Sequence, residues 1–84
     1  MKYQIDFHPA ARKKLSRLPK DVYGRVRDRV KGLEDNPRPP NARKLVGSDE
    51  WRLRIGRWRV VYLIDDANRR IYITVIAHRR EVYR

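Results

Sequence analysis

The stretch from Trp51 to Tyr62, Trp-Arg-Leu-Arg-Ile-Gly-Arg-Trp-Arg-Val-Val-Tyr, limits the fold more than any other part of this chain. Apolar and polar residues alternate on both sides of Gly56-Arg57, which is the pattern of a β-hairpin. Glycine at the first central position suits a two-residue type II′ turn, because that turn requires φ > 0 there. Counting outward sets the register: Ile55 faces Trp58, Arg54 faces Arg59, Leu53 faces Val60, Arg52 faces Val61 and Trp51 faces Tyr62. Side chains alternate between faces, so Trp51, Leu53, Ile55, Trp58, Val60 and Tyr62 share one side. Arg52, Arg54, Arg57 and Arg59 share the other. Like charges directly opposite each other, as at Arg54 and Arg59, destabilise a sheet, so a chain that keeps the pair is expected to have an anion for it.

The rest of the chain supplies partners for this hairpin. Lys2 to Phe7 alternates, with Tyr3, Ile5 and Phe7 on one side, and reads as a first strand. His8-Pro9 opens a helix, since proline is well placed at a first helical position. Ala11, Leu15 and Leu18 recur at helical spacing, and Pro19 ends this helix and can start the next. Val22, Val26, Val30 and Leu33 form the stripe of the second helix, which Asn36-Pro37 stops. Residues 37–41 read as an extended connector, with Leu45 expected to tuck into the core. After a turn at residues 66–69, Arg70 to His78 is a further strand. A four-residue loop there pairs Ile64 with Ile71, Tyr62 with Ile73, Val60 with Val75 and Trp58 with Ala77, all apolar. The same register sets His78 across from Arg57, on the arginine side. The expected fold is therefore α+β: an N-terminal strand, a two-helix hairpin, then an antiparallel three-strand meander. The helices pack on one face of the sheet, and the other face gathers arginines, His78 and an exposed tail from Arg79 to Arg84.

With 84 residues, the chain has material for one small core, so residues 1–84 are expected to form a single domain. It has no cysteine, which excludes disulfides and thiolate metal sites and fits a reducing cytoplasm. The N-terminus lacks a signal peptide's apolar block, and no run approaches the roughly 18 apolar residues of a membrane span. Net charge is +12, and residues 51–84 carry nine arginines, no lysine and three acids. Arginine's planar fork matches phosphate bidentately, so this distribution points to nucleic acid or ribonucleoprotein rather than to solubility alone. An anionic membrane fits less well, because the basic residues follow a strand pattern and not one face of an amphipathic helix.

Several chemistries have no residues to run them. His8 and His78 are far apart in sequence and have no acidic cluster, so neither metal nor other cofactor is expected. Glycines 24, 32, 47 and 56 make no phosphate loop. A metal-free phosphate site remains. RNA brings its own nucleophile, the 2′-OH, so such an RNase needs to orient attack, stabilise the phosphorane and move two protons. Arg52, Arg54 and Arg59 can bind the scissile phosphate and its developing charge. His78 is the one side chain expected on this face whose unperturbed pKa sits near neutrality, which suits it to acid or base work. Tyr83 can stack on a base or donate its hydroxyl to the phosphate. The plainer readings are a solvated strand face for Arg52 and Arg54, a strand-end hydrogen bond for His78 and a packed C-terminal residue for Tyr83. Trp51, Trp58 and Tyr62 are expected in the core.

The Trp51–Tyr62 run, preceded by Lys44-Leu45 and Gly47 and followed by His78-Arg79-Arg80-Glu81-Val82-Tyr83, resembles the RelE/ParE toxin superfamily, and its RelE branch most closely. The resemblance covers essentially the whole chain, including Phe7-His8-Pro9-Ala10. It implies a type II toxin, a ribosome-dependent mRNA endonuclease that cuts the decoding-site codon by 2′-OH attack. A RelB-like antitoxin, acidic or with a partly disordered C-terminal segment, is the implied partner beside ribosome and mRNA. By the same resemblance, Arg52 and Arg54 contact the substrate phosphate or assist proton removal, and Arg59 stabilises the transition state. A basic or imidazole group near His78-Arg79 serves as the acid, and Tyr83 stacks on or orients the base. Lys13, Arg17, Lys44, Arg57, Arg80 and Arg84 are expected to contact RNA or the ribosome. Some members carry lysine at the positions of Arg52 and Arg54; arginine stays protonated, which shifts proton work towards His78 or ribosomal groups. Two alternatives are a ParE-type gyrase inhibitor and a non-catalytic RNA- or ribosome-binding module.

Overall fold

In the computed structural model, which describes residues 2–82, the hairpin has the register set by its alternation. Strands β3 (Trp51–Ile55) and β4 (Trp58–Asp65) pair antiparallel, with Trp51 opposite Tyr62 and Arg54 opposite Arg59. Gly56 has φ 59°, the left-handed value that a type II′ turn requires at its first central position.

Around the hairpin stand β1 (Gln4–Phe7), α1 (Pro9–Ser16), α2 (Lys20–Gly32), β2 (Ala42–Lys44), β5 (Arg70–His78) and α3 (Arg79–Val82). The strands form one five-stranded sheet in the order β1-β5-β4-β3-β2, and β1 runs parallel to β5. The α+β class and the meander β3-β4-β5 match the sequence reading. Two elements extend it: Ala42–Lys44, just past the expected connector of residues 37–41, is a short edge strand on β3, and the expected exposed tail begins as the helical turn α3.

Each helix starts and stops for a local reason. His8 caps α1, its Nδ1 accepting the Ala10 N–H at 3.0 Å, and Pro9 takes the first helical position. In α2, Asp21 lies in the first turn and Arg29 and Lys31 in the last, the arrangement that suits the helix dipole. Its stripe Val22, Val26, Val30 and Leu33 is buried against Leu53, Ile55, Val60, Tyr62, Ile71 and Ile73 of the sheet. Leu45, expected to tuck into the core, is half-buried but outside this core; it lines instead a hollow with Val61 and with Val75, a residue that a bulge in β5 turns away from the core.

The connector after α2 is held by side chains. The buried Tyr62 hydroxyl donates to the Pro37 carbonyl at 2.8 Å, and burial pushes its phenol up to about 12. Arg38 grips Asp66 in the β4–β5 turn at 2.7 and 3.3 Å and lies over the Trp51 ring at 5.4 Å. Tyr3 donates to the same carboxylate at 2.6 Å, so Asp66 ties the connector, the turn and the N-terminal segment together.

The β4–β5 pairing departs from the expected register partway along. Ile64 pairs with Ile71 and Tyr62 with Ile73, as expected, but Val61 then pairs with Val75, Val60 with Ile76 and Trp58 with His78. Thr74 is the extra residue of a β-bulge, and its Oγ1 donates to the Val61 carbonyl at 3.1 Å. One extra residue exchanges the faces of everything after it. Ile76 therefore enters the core, 4% exposed, while Val75 turns outward at 41%. His78 moves with Ile76, so the expectation that it lies across from Arg57 among the arginines is corrected.

Candidate functional site

The face of the sheet turned away from α2 is built by strand pairing. Arg52 and Arg54 alternate out of β3, and Arg59 stands on β4 directly opposite Arg54. Arg43 on β2 stands directly opposite Arg52. Cross-strand partners share a face, so Arg43, Arg52, Arg54 and Arg59 lie together. Val61, Val75 and Ala77 continue the same face towards β5.

Arg59 is the unusual member. Only 4% of it is exposed, and among the described residues it is the one buried charged side chain. Its Nη1 donates to the carbonyls of Gly56 and Trp58, each at 2.9 Å. Among the described residues its Nε has no hydrogen-bond partner, and none of the four ion pairs includes it. A buried cation is costly unless an opposite charge and further hydrogen bonds meet it. Two carbonyls hold the guanidinium in place without neutralising it. Such a group is preorganised for an anion.

His78 sits elsewhere. Paired with Trp58, it meets the indole edge-on, with ring centroids 5.4 Å apart at 83°. It also caps α3: Glu81 accepts the His78 N–H at 3.1 Å, and Nδ1 of His78 accepts the Arg80 N–H at 3.4 Å. The backbone bond holds the Glu81 carboxyl below its ordinary range, and Lys14 of α1 adds an ion pair at 3.4 Å. The place across from Arg57 is taken by Arg79, whose N–H donates to the Arg57 carbonyl at 2.7 Å. Arg79 and Arg80 are exposed at this end of the sheet.

The residues selected from the sequence thus divide. Arg52, Arg54 and Arg59 come together, and Arg57 and Arg79 meet at the turn end. Lys13 and Arg17 line a hollow of about 330 Å³ against Trp58, on the helix side. Lys44 pairs with Trp51 and lines a separate hollow with residues 45–49. Tyr83 and Arg84 lie outside the described residues. Arg43 was not selected, because its membership depends on β2, a three-residue strand whose Ala-Arg-Lys sequence carries no alternation to betray it.

A small basic α+β fold with a helical hairpin over a five-stranded sheet, and an arginine cluster on the open face, is a class that the comparisons with known proteins define further. Residues 5–83 match the family described as the ParE toxin of the type II toxin-antitoxin system parDE. A candidate RelE1 toxin of Methanocaldococcus jannaschii is 33% identical over 88 residues, covering 100% of this chain and 98% of that one. The crystal structure of the archaeal RelE-RelB complex from Pyrococcus horikoshii OT3 contains a chain with TM-score 0.84 and 32% identity, covering 94% of this chain and 97% of its own. The toxin-antitoxin complex RelBE2 from Mycobacterium tuberculosis gives TM-score 0.81 at 25% identity, covering 93% and 99%. This chain belongs to the RelE/ParE superfamily of type II toxins.

Proposed function

We propose that this toxin is a metal-independent endoribonuclease that cleaves mRNA in the ribosomal decoding site and that a RelB-like antitoxin holds inactive. The observation that carries the reading is Arg59, buried, fixed by two carbonyls and without an acidic partner among the described residues. A toxin acting only by surface attraction has no use for a buried, costly cation.

In this reading the 2′-oxygen of the nucleotide before the scissile bond attacks phosphorus, the bond to the 5′-oxygen breaks, and a 2′,3′-cyclic phosphate is left. One proton leaves the 2′-OH and one reaches the departing 5′-oxygen. Arg59, with Arg54 opposite and Arg52 beside it, binds the phosphate and the charge that grows on its oxygens. Arg79, fastened to Arg57, adds positive charge at the turn end. All of these stay protonated, so proton transfer falls to ribosomal groups, because His78 stands on the Trp58 side of the sheet. Tyr83 is assigned the stacking role. The antitoxin partner is supported by the archaeal and mycobacterial relatives, whose structures are toxin–antitoxin complexes.

A second reading has one observation in its favour, the match to the ParE family, and makes the protein a gyrase inhibitor. Primer extension on a defined mRNA in a reconstituted translation system separates the two. Cleavage at decoding-site codons is expected only with ribosomes present, and Arg59→Ala is expected to lose roughly 10²- to 10³-fold in rate. Intact mRNA throughout sinks the RNase reading, and a gyrase supercoiling assay then takes its place.

A further inference from the structure

Trp58, expected in the core, reaches only its margin. The indole packs against the core cluster but stays half-buried. Its N–H donates to nothing among the described residues and, unlike the Arg59 Nε, is not sealed from solvent. Beside it opens the hollow of about 330 Å³, lined also by Ala10, Lys13, Lys14, Arg17 and Leu18. That volume lies at the small end of ligand sites, roughly 300–1,000 Å³, and suits one nucleotide. We propose that this hollow docks an unpaired nucleotide of a second RNA strand, which the protein grips without cutting. The base stacks on Trp58, and the phosphate meets Lys13 and Arg17. The proposal rests on the RNase reading for its ligand, but it shares no residue with the arginine cluster of the open face.

Helical spacing builds the hollow. Ala10, Lys13, Lys14 and Arg17 recur at i, i+3, i+4 and i+7, so they share one face of α1 and its C-cap. Ala10 is small and leaves room beside the indole, while the buried Leu18 closes the floor. Lys14 is already answered by Glu81 at 3.4 Å. Lys13 and Arg17 are not: both are exposed, and among the described residues neither belongs to an ion pair. The helix dipole accounts for lysines near the end of α1, but not for an aromatic ring left open beside them. Cations next to an accessible ring are the combination by which proteins hold single-stranded RNA.

The sheet separates this hollow from Arg59. Trp58 and Arg59 are successive residues of β4, so their side chains leave opposite faces. Trp58 stands opposite Ile55 and His78, and Arg59 opposite Arg54. One nucleotide cannot touch both. The edge-on contact with His78 at 5.4 Å holds the indole in place before any RNA arrives, which lowers the cost of ordering it. On a ribosome the second strand is ribosomal RNA or a distant segment of the messenger, and either offers the same unpaired nucleotide.

Anisotropy of a labelled 2′-O-methyl hexanucleotide, which cannot be cleaved, tests the site on the full chain carrying Arg54→Ala and Arg59→Met, so that the open face is disabled. In that background Trp58→Leu is expected to weaken binding roughly tenfold and to remove the penalty for an abasic position in the oligonucleotide. Lys13→Gln with Arg17→Gln, both at exposed positions that folding does not need, should lower the slope of log K against log salt by about 0.7, the loss of one single-strand phosphate. Arg27→Ala, on the outer face of α2, should change neither. A background that binds no hexanucleotide, or binding indifferent to Lys13, Arg17 and Trp58, overturns the proposal. Co-sedimentation of the Lys13→Gln, Arg17→Gln variant with ribosomes then locates the strand. Weaker pelleting with vacant ribosomes places it in ribosomal RNA, and weaker pelleting only with mRNA-programmed ribosomes places it in the messenger. Unchanged pelleting with both overturns the docking role. Binding that needs Trp58, from a wild type that cleaves no mRNA, leaves this site standing and removes the RNase reading. Cleavage that needs Arg59, with hexanucleotide binding indifferent to Trp58, removes this site alone.

Discussion

Arg59 is where function and stability pull against each other. Its guanidinium is almost fully buried, yet among the described residues two carbonyls and no carboxylate receive it. Replacing it with an apolar side chain of similar length removes the desolvation cost together with the site. Arg59→Met is therefore expected to raise the melting temperature of the free toxin by roughly 2–8 °C while abolishing activity. Thermal unfolding followed by circular dichroism checks this. A lower melting temperature would mean that the two carbonyl bonds outweigh the buried charge, and the argument for a preorganised anion site would lose its energetic basis. Of the site residues, Arg52, Arg54 and Arg59 were legible from alternation alone, because a hairpin with a two-residue turn leaves no freedom of register. His78 was not, since Thr74-Val75-Ile76-Ala77 offers apolar candidates to both faces and the pattern cannot show which residue is extra.

Among the elements, the β3–β4 hairpin depends on one backbone conformation. Gly56 has φ 59°, and a Cβ built there meets only the Arg25 Nη1 atom, at 3.4 Å, the end of a flexible side chain. Packing therefore contributes little to the cost of Gly56→Ala; the left-handed backbone decides it. A loss of about 1–2 kcal/mol is expected from urea unfolding midpoints, and Gly56→Asn should cost less because asparagine tolerates this region better. No change in midpoint would show that the turn can relax to another type. Helix α2 was equally readable, its stripe repeating over three turns. Strand β2 and helix α3 were not. Three residues make neither a period nor a propensity, and α3 is held by contacts from Glu81, Lys14 and Arg57, two of them distant in sequence.

For the molecule as a whole, Asp66 ties together segments that the chain keeps far apart. Arg38 first, and then Tyr3, hold its carboxyl down to about 2, against 3.8 ordinarily. A depressed carboxyl contributes stability above its unfolded pKa, and the contribution disappears as pH falls through the folded value. Melting temperature should therefore drop between pH 4 and pH 2 by more in wild type than in an Asp66→Asn variant. At neutral pH the same variant should already melt lower, because Arg38 loses its charged partner. Parallel curves across that range would show that the clasp adds nothing. Its outer groups are about half exposed, so high salt should weaken it.

The amino-acid sequence by itself determined the hairpin, its register, the apolar stripe of α2 and the gathering of three arginines on one face. Those follow from periods of 2 and 3.6 and from a glycine turn, all local rules. Tertiary structure alone decided the parallel seat of β1 beside β5, the bulge at Thr74, the passage of His78 to the Trp58 side and the arrival of Arg43 beside Arg52. Each of these depends on which strand edge is free and how the cores of α2 and the sheet close, and pairing partners far apart in a chain leave no periodic trace in it.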